Sequence, residues 1–308
     1  MKKPHRILIV LVMVITIAAA CVMVEEAGTP TPRGTGPVAL AFDGESIWVA
    51  NLIDGTVTKL SLDGAELATF QVGTGPVALA LDGESIWVAN LEDNTVTKLS
   101  LDGAELVTVQ VGSRPRALAF DEESIWVANF GIPDTPGNTV TKLSLDGTEQ
   151  GTFQVGTRPF SLAFDGNSIW VANWLDGTVT KLSLDGAELG TFQVGLRPAA
   201  LVFDGESIWV ANFGTSETPG NTVTKLNLDG TELDTFQVGT QPAALTFDGE
   251  SIWVANWLDG TVMKLSLEGV ELDTFRAGTR PIALAFDGEG IWVANKNKTL
   301  SRLRLPQE

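Results

Sequence analysis

The sequence predicts an all-β fold, a seven-bladed β-propeller with four antiparallel strands in each blade. A box reading Ile-Trp-Val-Ala-Asn occurs seven times, around Trp48, Trp87, Trp126, Trp170, Trp209, Trp253 and Trp292, at intervals of 39, 39, 44, 39, 44 and 39 residues. Self-similarity at such a period marks a repeat architecture. Each of the first six repeats also divides into four short runs, apolar or β-branched, separated by Asp-Gly or Gly turns, which is the content of one propeller blade. No window carries a helical apolar period long enough to compete.

In the unit from Pro37 to Thr74, each strand follows from its own residues. Val38–Phe42 is apolar and stops at Asp43-Gly44. Ser46–Asn51 is next, ending at Asp54-Gly55. Asp-Gly supplies the positive φ that tight hairpins require. Ile47 and Val49 point to one face and Trp48 and Ala50 to the other, so both faces need cover from neighbouring blades. Thr56–Leu62 alternates and is β-branched, and Glu66–Val72 is more polar, as an outermost strand should be. The two longer intervals hold five-residue insertions at one place in the unit, within Gly131–Asn138 and Gly214–Asn221. The last copy stops at Leu305, after its third strand. The seventh blade is therefore either three-stranded or closed by an N-terminal strand, with Thr31-Pro-Arg-Gly34 aligning with Phe70-Gln-Val-Gly73. Proline is tolerated there only because an outer strand is an edge strand.

Residues 1–20 read as a signal peptide, 21–35 as a tether, and 36–308 as the propeller. Lys2, Lys3 and Arg6 precede an apolar run from Ile7 to Ala20, the pattern of an export signal. Ala18-Ala19-Ala20-Cys21 resembles a bacterial lipobox, with Ala18 where that motif usually has leucine, so Cys21 is the expected lipidation site. Two alternatives stay open: an uncut anchor, since the apolar run continues through Val24, and cleavage that releases the protein. All three place the propeller outside the cytoplasm. Glu25–Thr35 has the Pro, Thr and Gly content of a linker.

The repeat resembles the YVTN-type β-propeller family, in which an aromatic-Val-Ala/Thr-Asn box precedes a Thr-Val strand and a Val-Gly-x-x-Pro turn. Here these read Trp48–Asn51, Thr56-Val57 and Val72–Pro76. The resemblance implies the fold over all seven copies and a surface or secreted setting. The layout is also similar to virginiamycin B lyase-like propellers. That family uses histidine in its active site, whereas the only histidine here is His5, so its activity is not carried over.

Net charge is −18, which disfavours nucleic acid as a partner. The first-to-second and third-to-fourth loops lie on one rim and hold 26 of the 38 acids. The opposite rim, of blade-to-blade crossings and second-to-third loops, carries Arg114, Arg158, Arg197 and Arg280, with Lys296 and Lys298. The residue after the boxed asparagine varies as Leu52, Leu91, Phe130, Trp174, Phe213, Trp257 and Lys296. Positions that vary between copies are better site candidates than those that serve every blade.

Phe130, Trp174, Phe213, Trp257 and the four arginines are therefore the candidate ligand-binding residues. Aromatic surfaces with arginine forks suit sugars, aromatic compounds or anionic peptides. The structural alternative is that the rings pack against the insertions and the arginines balance nearby acids. Repeated Asp-Gly pairs suit tight turns rather than calcium, the boxed asparagines should bond their own loop backbones, and Lys59 and its equivalents should be solubilising outer charges. No catalytic residue, metal site or cofactor is assigned. The functional expectation is a monomeric, non-enzymatic module, membrane-tethered on the cell surface, that binds a polysaccharide, a cell-wall polymer or a protein. The alternative is a carboxylate- and metal-dependent hydrolase or lyase at the central channel.

Overall fold

The structure, a computed structural model, describes Val24–Glu25 and residues 36–304. It is a seven-bladed, all-β propeller without helices among the described residues. Blade 1 runs from the channel outwards as Pro37–Phe42, Ile47–Asn51, Thr56–Leu60 and Glu66–Gln71, each strand antiparallel to the one before. Blades 2 to 6 begin at Pro76, Pro115, Pro159, Pro198 and Pro242 and repeat this order. The second strands are buried through the boxed asparagine and the fourth strands are largely exposed, as the polarity of their residues requires.

The alternation in the second strand does the joining. Trp48 packs with Ile86 and Val88 of blade 2, while Ile47 and Val49 face Trp292 and Ala294 of blade 7. One such apolar cluster fills each of the seven blade interfaces, and the cluster of Ile47, Val49 and Trp292 closes the ring. All seven boxed tryptophans are fully buried. At about 25 cal/mol per Å², burying such a side chain is worth roughly 4–6 kcal/mol.

The insertions lengthen the second and third strands of blades 3 and 5, to Ser124–Gly131 with Pro136–Ser144 and Ser207–Gly214 with Pro219–Asn227. Blade 7 has three full strands, Pro281–Phe286, Gly290–Asn295 and Leu300–Arg304. Its outer edge receives a two-residue antiparallel strand, Val24–Glu25, paired with Leu303 and Arg302. The strand that pairs thus comes from the N-terminal side, but it is not Thr31-Pro-Arg-Gly34, which lies outside the described residues. The signal segment, Cys21 and the remainder of the tether also lie outside them.

Three expectations about repeated polar residues are corrected. Lys59 is no solubilising charge. Its ammonium lies 3.0 Å from Asp43, 4.9 Å from the Trp48 ring centre, and donates to the Leu101 carbonyl of the next blade. Lys98, Lys142, Lys181 and Lys225 make the same bridge to the following blade, and Arg302 reaches back to Leu62 of blade 1. The first aspartate of each blade is not a rim charge either. Asp165, for example, accepts the Trp170 indole N–H at 2.8 Å and two backbone amides, and is buried. Sequence cannot show this, because aspartate, tryptophan and lysine meet only once the strands are in register. In blades 1 to 6 the boxed asparagine donates to threonine hydroxyls of the third strand, as Asn51 does to Thr56 and Thr58, and in blade 7 Asn295 donates to Ser301 and to the Ala277 carbonyl of the crossing.

Candidate functional site

The site grows out of the crossing between blades. The residue before each blade's proline has positive φ: Gly36, Gly75, Arg114, Arg158, Arg197, Gln241 and Arg280 in order. Its carbonyl accepts the amide of the residue after the boxed asparagine, as in Phe130 to Arg114, Trp174 to Arg158, Phe213 to Arg197 and Trp257 to Gln241. Every blade therefore holds two variable residues side by side at the mouth of the channel. In blades 1 and 2 these are glycine with leucine. Blades 3 to 5 pair arginine with an aromatic, blade 6 pairs glutamine with tryptophan, and blade 7 pairs arginine with lysine. A left-handed conformation costs a non-glycine residue about 1–2 kcal/mol, so these side chains stand where glycine would fold more easily.

The residue after each proline sits in a β-bulge, where the register with the second strand shifts, as between Pro115 and Ala117. Bulges re-aim side chains beside functional sites. The bulge residues are Val38, Val77, Arg116, Phe160, Ala199, Ala243 and Ile282. Six are uncharged, whereas Arg116 is a cation. Sequence reasoning missed Arg116 and Phe160, although the same criterion, variation at one position of the repeat, would have found them.

These residues form one arc. Phe130 meets Phe160 edge-on with centres 5.8 Å apart, and Phe160 stacks on Trp174 at 4.5 Å. Trp174 contacts Phe213 at 5.4 Å, and Phe213 contacts Trp257 at 6.0 Å. The four predicted aromatics are thus brought together, with Phe160 as the missing link, and all five are half-buried. Arginines of the following blade lie over them: Arg158 over Phe130 at 5.2 Å, Arg197 over Trp174 at 5.6 Å, Arg280 over Trp257 at 4.4 Å. Arg116 lies 4.3 Å from Phe160, and Lys296 is a second cation on Trp257 at 5.8 Å. Arg114, the remaining predicted arginine, is half-buried in the crossing and touches none of these rings at cation–π distance.

Among the described residues, no carboxylate lies within ion-pair distance of Arg114, Arg116, Arg158, Arg197, Arg280, Lys296 or Lys298. Three acids of the same rim are engaged by backbone: Asp93, Asp176 and Asp259 accept the crossing amides of Thr74, Thr157 and Thr240. The Nε atoms of Arg114 and Arg158 are buried without a partner among the described residues.

Below the arc the inner strands enclose about 200 Å³ of channel, lined by residues such as Val38, Val77, Leu118, Leu201 and Ile282. Among the described residues, Arg116 and Ser161 are the only polar side chains in that lining, and no carboxylate belongs to it. The guanidinium is enclosed by the walls yet keeps some contact with water along the open channel. Desolvation, and then the charge of Arg114, lower its pKa to about 10. Among the described residues no group of three His, Cys, Asp or Glu side chains is placed to hold a metal ion.

No protein-family model matches this sequence, and no curated protein matches it. Solved structures do match. A chain of Kuenenia stuttgartiensis hydrazine synthase superposes with a TM-score of 0.79 at 16% identity, covering 91% of this chain and 99% of that one. Staphylococcus aureus virginiamycin B lyase, as a catalytically inactive histidine-to-alanine variant with quinupristin, gives 0.76 at 18% identity over 90% and 97%. A streptogramin B lyase gives 0.76 at 19% over 89% and 94%. At these identities the likeness is one of fold, and the fold it supports is the seven-bladed propeller of those lyases.

Proposed function

We propose that this chain is a non-enzymatic binding module that holds an anionic glycan polymer of the cell envelope against the arginine-aromatic arc. The observation that carries this reading is the set of guanidinium groups laid on rings and, among the described residues, left without carboxylate partners. Cation–π contact fixes a guanidinium in place without consuming its hydrogen-bond donors. Such a group is preorganised for a carboxylate or other oxyanion. The half-buried rings add apolar surface on which the body of a sugar can rest.

The net negative charge does not oppose this. The acidic rim is a strand length away, about 17–20 Å, whereas charges are screened over about 8 Å at physiological salt. A polymer with sparse carboxylates meets the cationic mouth first. A densely charged phosphate backbone would also lie across acidic surface, which disfavours nucleic acid. The signal segment and Cys21 support a membrane-tethered site outside the cytoplasm. The lyase activity of the structural neighbours is not proposed, because one of those lyases is inactive without a histidine and this ring contains none.

Binding of the full-length protein to an array of acidic and neutral envelope glycans, at low and high salt, tests the reading. Retention on acidic glycans should fall with salt and be lost in the Trp174→Ala, Trp257→Ala double variant, with the ring still folded. Retention that ignores salt, or that survives the double variant, would overturn it. So would binding only to protein ligands.

A further inference from the structure

Among the described residues of the channel lining a single charged side chain, Arg116, stands among aliphatic walls. Its equivalents in the other blades are Val38, Val77, Phe160, Ala199, Ala243 and Ile282, so the fold needs no cation there. Phe160 supports the guanidinium on one side at 4.3 Å, and no acid among the described residues pairs with it. A cation drawn out of bulk water without a counter-charge is unfavourable unless something anionic completes it. Ser161 accepts the Leu201 amide at 3.1 Å, and its own proton has no acceptor among the described residues.

We infer that Arg116 and Ser161 form a subsite inside the channel mouth for one carboxylate, carried by the end or a side group of the glycan. This rests on the arc being the ligand-binding face, and it adds the chemical group that is read there. The chemistry favours a carboxylate over a phosphate. A planar carboxylate matches the one guanidinium fork that lines the channel, whereas Arg114 acts on Arg116 through its charge and is not part of that lining. The lining around them is aliphatic, so a carboxylate entering the channel finds its polar contacts at Arg116 and Ser161.

Calorimetric titration of the full-length protein with glucuronate, glucose and inorganic phosphate tests this directly. Glucuronate should bind about tenfold or more tightly than glucose, the scale of one charge-assisted contact, and more tightly than phosphate. Arg116→Met should abolish the preference for glucuronate while melting at or above the wild-type temperature, since the walls are aliphatic. Arg116→Lys, a smaller change, should retain part of it and covers the case in which the methionine variant fails to fold. Equal binding of glucuronate and glucose, equal binding of phosphate, or wild-type glucuronate binding by Arg116→Met would each overturn the inference. Failure of the broader reading is distinguishable. An Arg116-dependent glucuronate signal with no retention on any polymer would sink the arc and leave the subsite. Polymer retention unchanged by Arg116→Met would sink the subsite and leave the arc.

Discussion

Two Asp-Gly pairs of blade 4 look interchangeable in the sequence and should behave in opposite ways when the aspartate is removed. Asp165 has a side chain 1% exposed and accepts three N–H groups: the Trp170 indole at 2.8 Å, the Ser168 amide at 2.6 Å and the Asn167 amide at 2.8 Å. Lys181 sits 3.5 Å away and also donates to Leu228 of blade 5 at 2.7 Å. Asp165→Ala leaves buried donors without an acceptor and a lysine without its counter-charge. Breaking a buried pair from one side costs about 3–5 kcal/mol. The residual exposure of Lys181, 15%, holds the expectation to that range rather than above it. In a domain of this size the melting temperature should fall on the order of 10 °C. Lys181→Met should be milder, about 1 kcal/mol, because Asp165 keeps all three N–H partners. Asp185 is exposed and bonded to Ser183 beside it, so Asp185→Ala should leave the midpoint where it was. Equilibrium urea unfolding followed by tryptophan fluorescence reads all three. A lysine variant as damaging as the aspartate variant, or an Asp165→Ala protein of wild-type stability, would refute the reasoning.

Two further outcomes follow from the same packing. Trp209→Ala removes a fully buried ring that bridges blades 5 and 6 and should cost about 3–5 kcal/mol; near-neutral stability by the same urea assay would contradict the blade assignment. Acid should destabilise the ring through Asp43, Asp82, Asp121 and Asp287. Burial alone would raise these carboxyls, but the tryptophan N–H, backbone amides and Lys59, Lys98, Lys142 or Arg302 outweigh it and hold them below the usual carboxylate value. A depressed folded pKa gives stability that is fully present above the unfolded value of about 3.9. It is then lost as pH falls through the lower folded values. Urea midpoints measured against pH should therefore be flat, as far as these groups matter, down to about pH 4 and fall below it. A decline already under way near pH 6 would assign acid sensitivity to other groups.

The fold was legible because a propeller writes its period into the chain. Seven boxes, two insertions at one place and a truncated last copy account for blade number, strand order and the three-stranded seventh blade. The arc was half legible. Phe130, Trp174, Phe213 and Trp257 stood out by varying at one position of the repeat, and the structure brings them within ring contact. Arg116 and Phe160 were hidden in a strand that otherwise reads as apolar, and only the bulge shows that their position belongs to the mouth. Lys59 and Asp43 were misread for another reason. Both are charged and lie next to loops or outer strands, and their burial depends on two strands and a neighbouring blade arriving together. A sequence lists charges in order, whereas the cost of burying them depends on partners distant in that order.

The strand Val24–Glu25 joins the ring at its side wall, on the outer edge of blade 7. Force applied to the chain upstream of Val24 therefore meets the circumference of blade 7 and its Leu303 and Arg302 pairing first, and the inner strands that line the channel last.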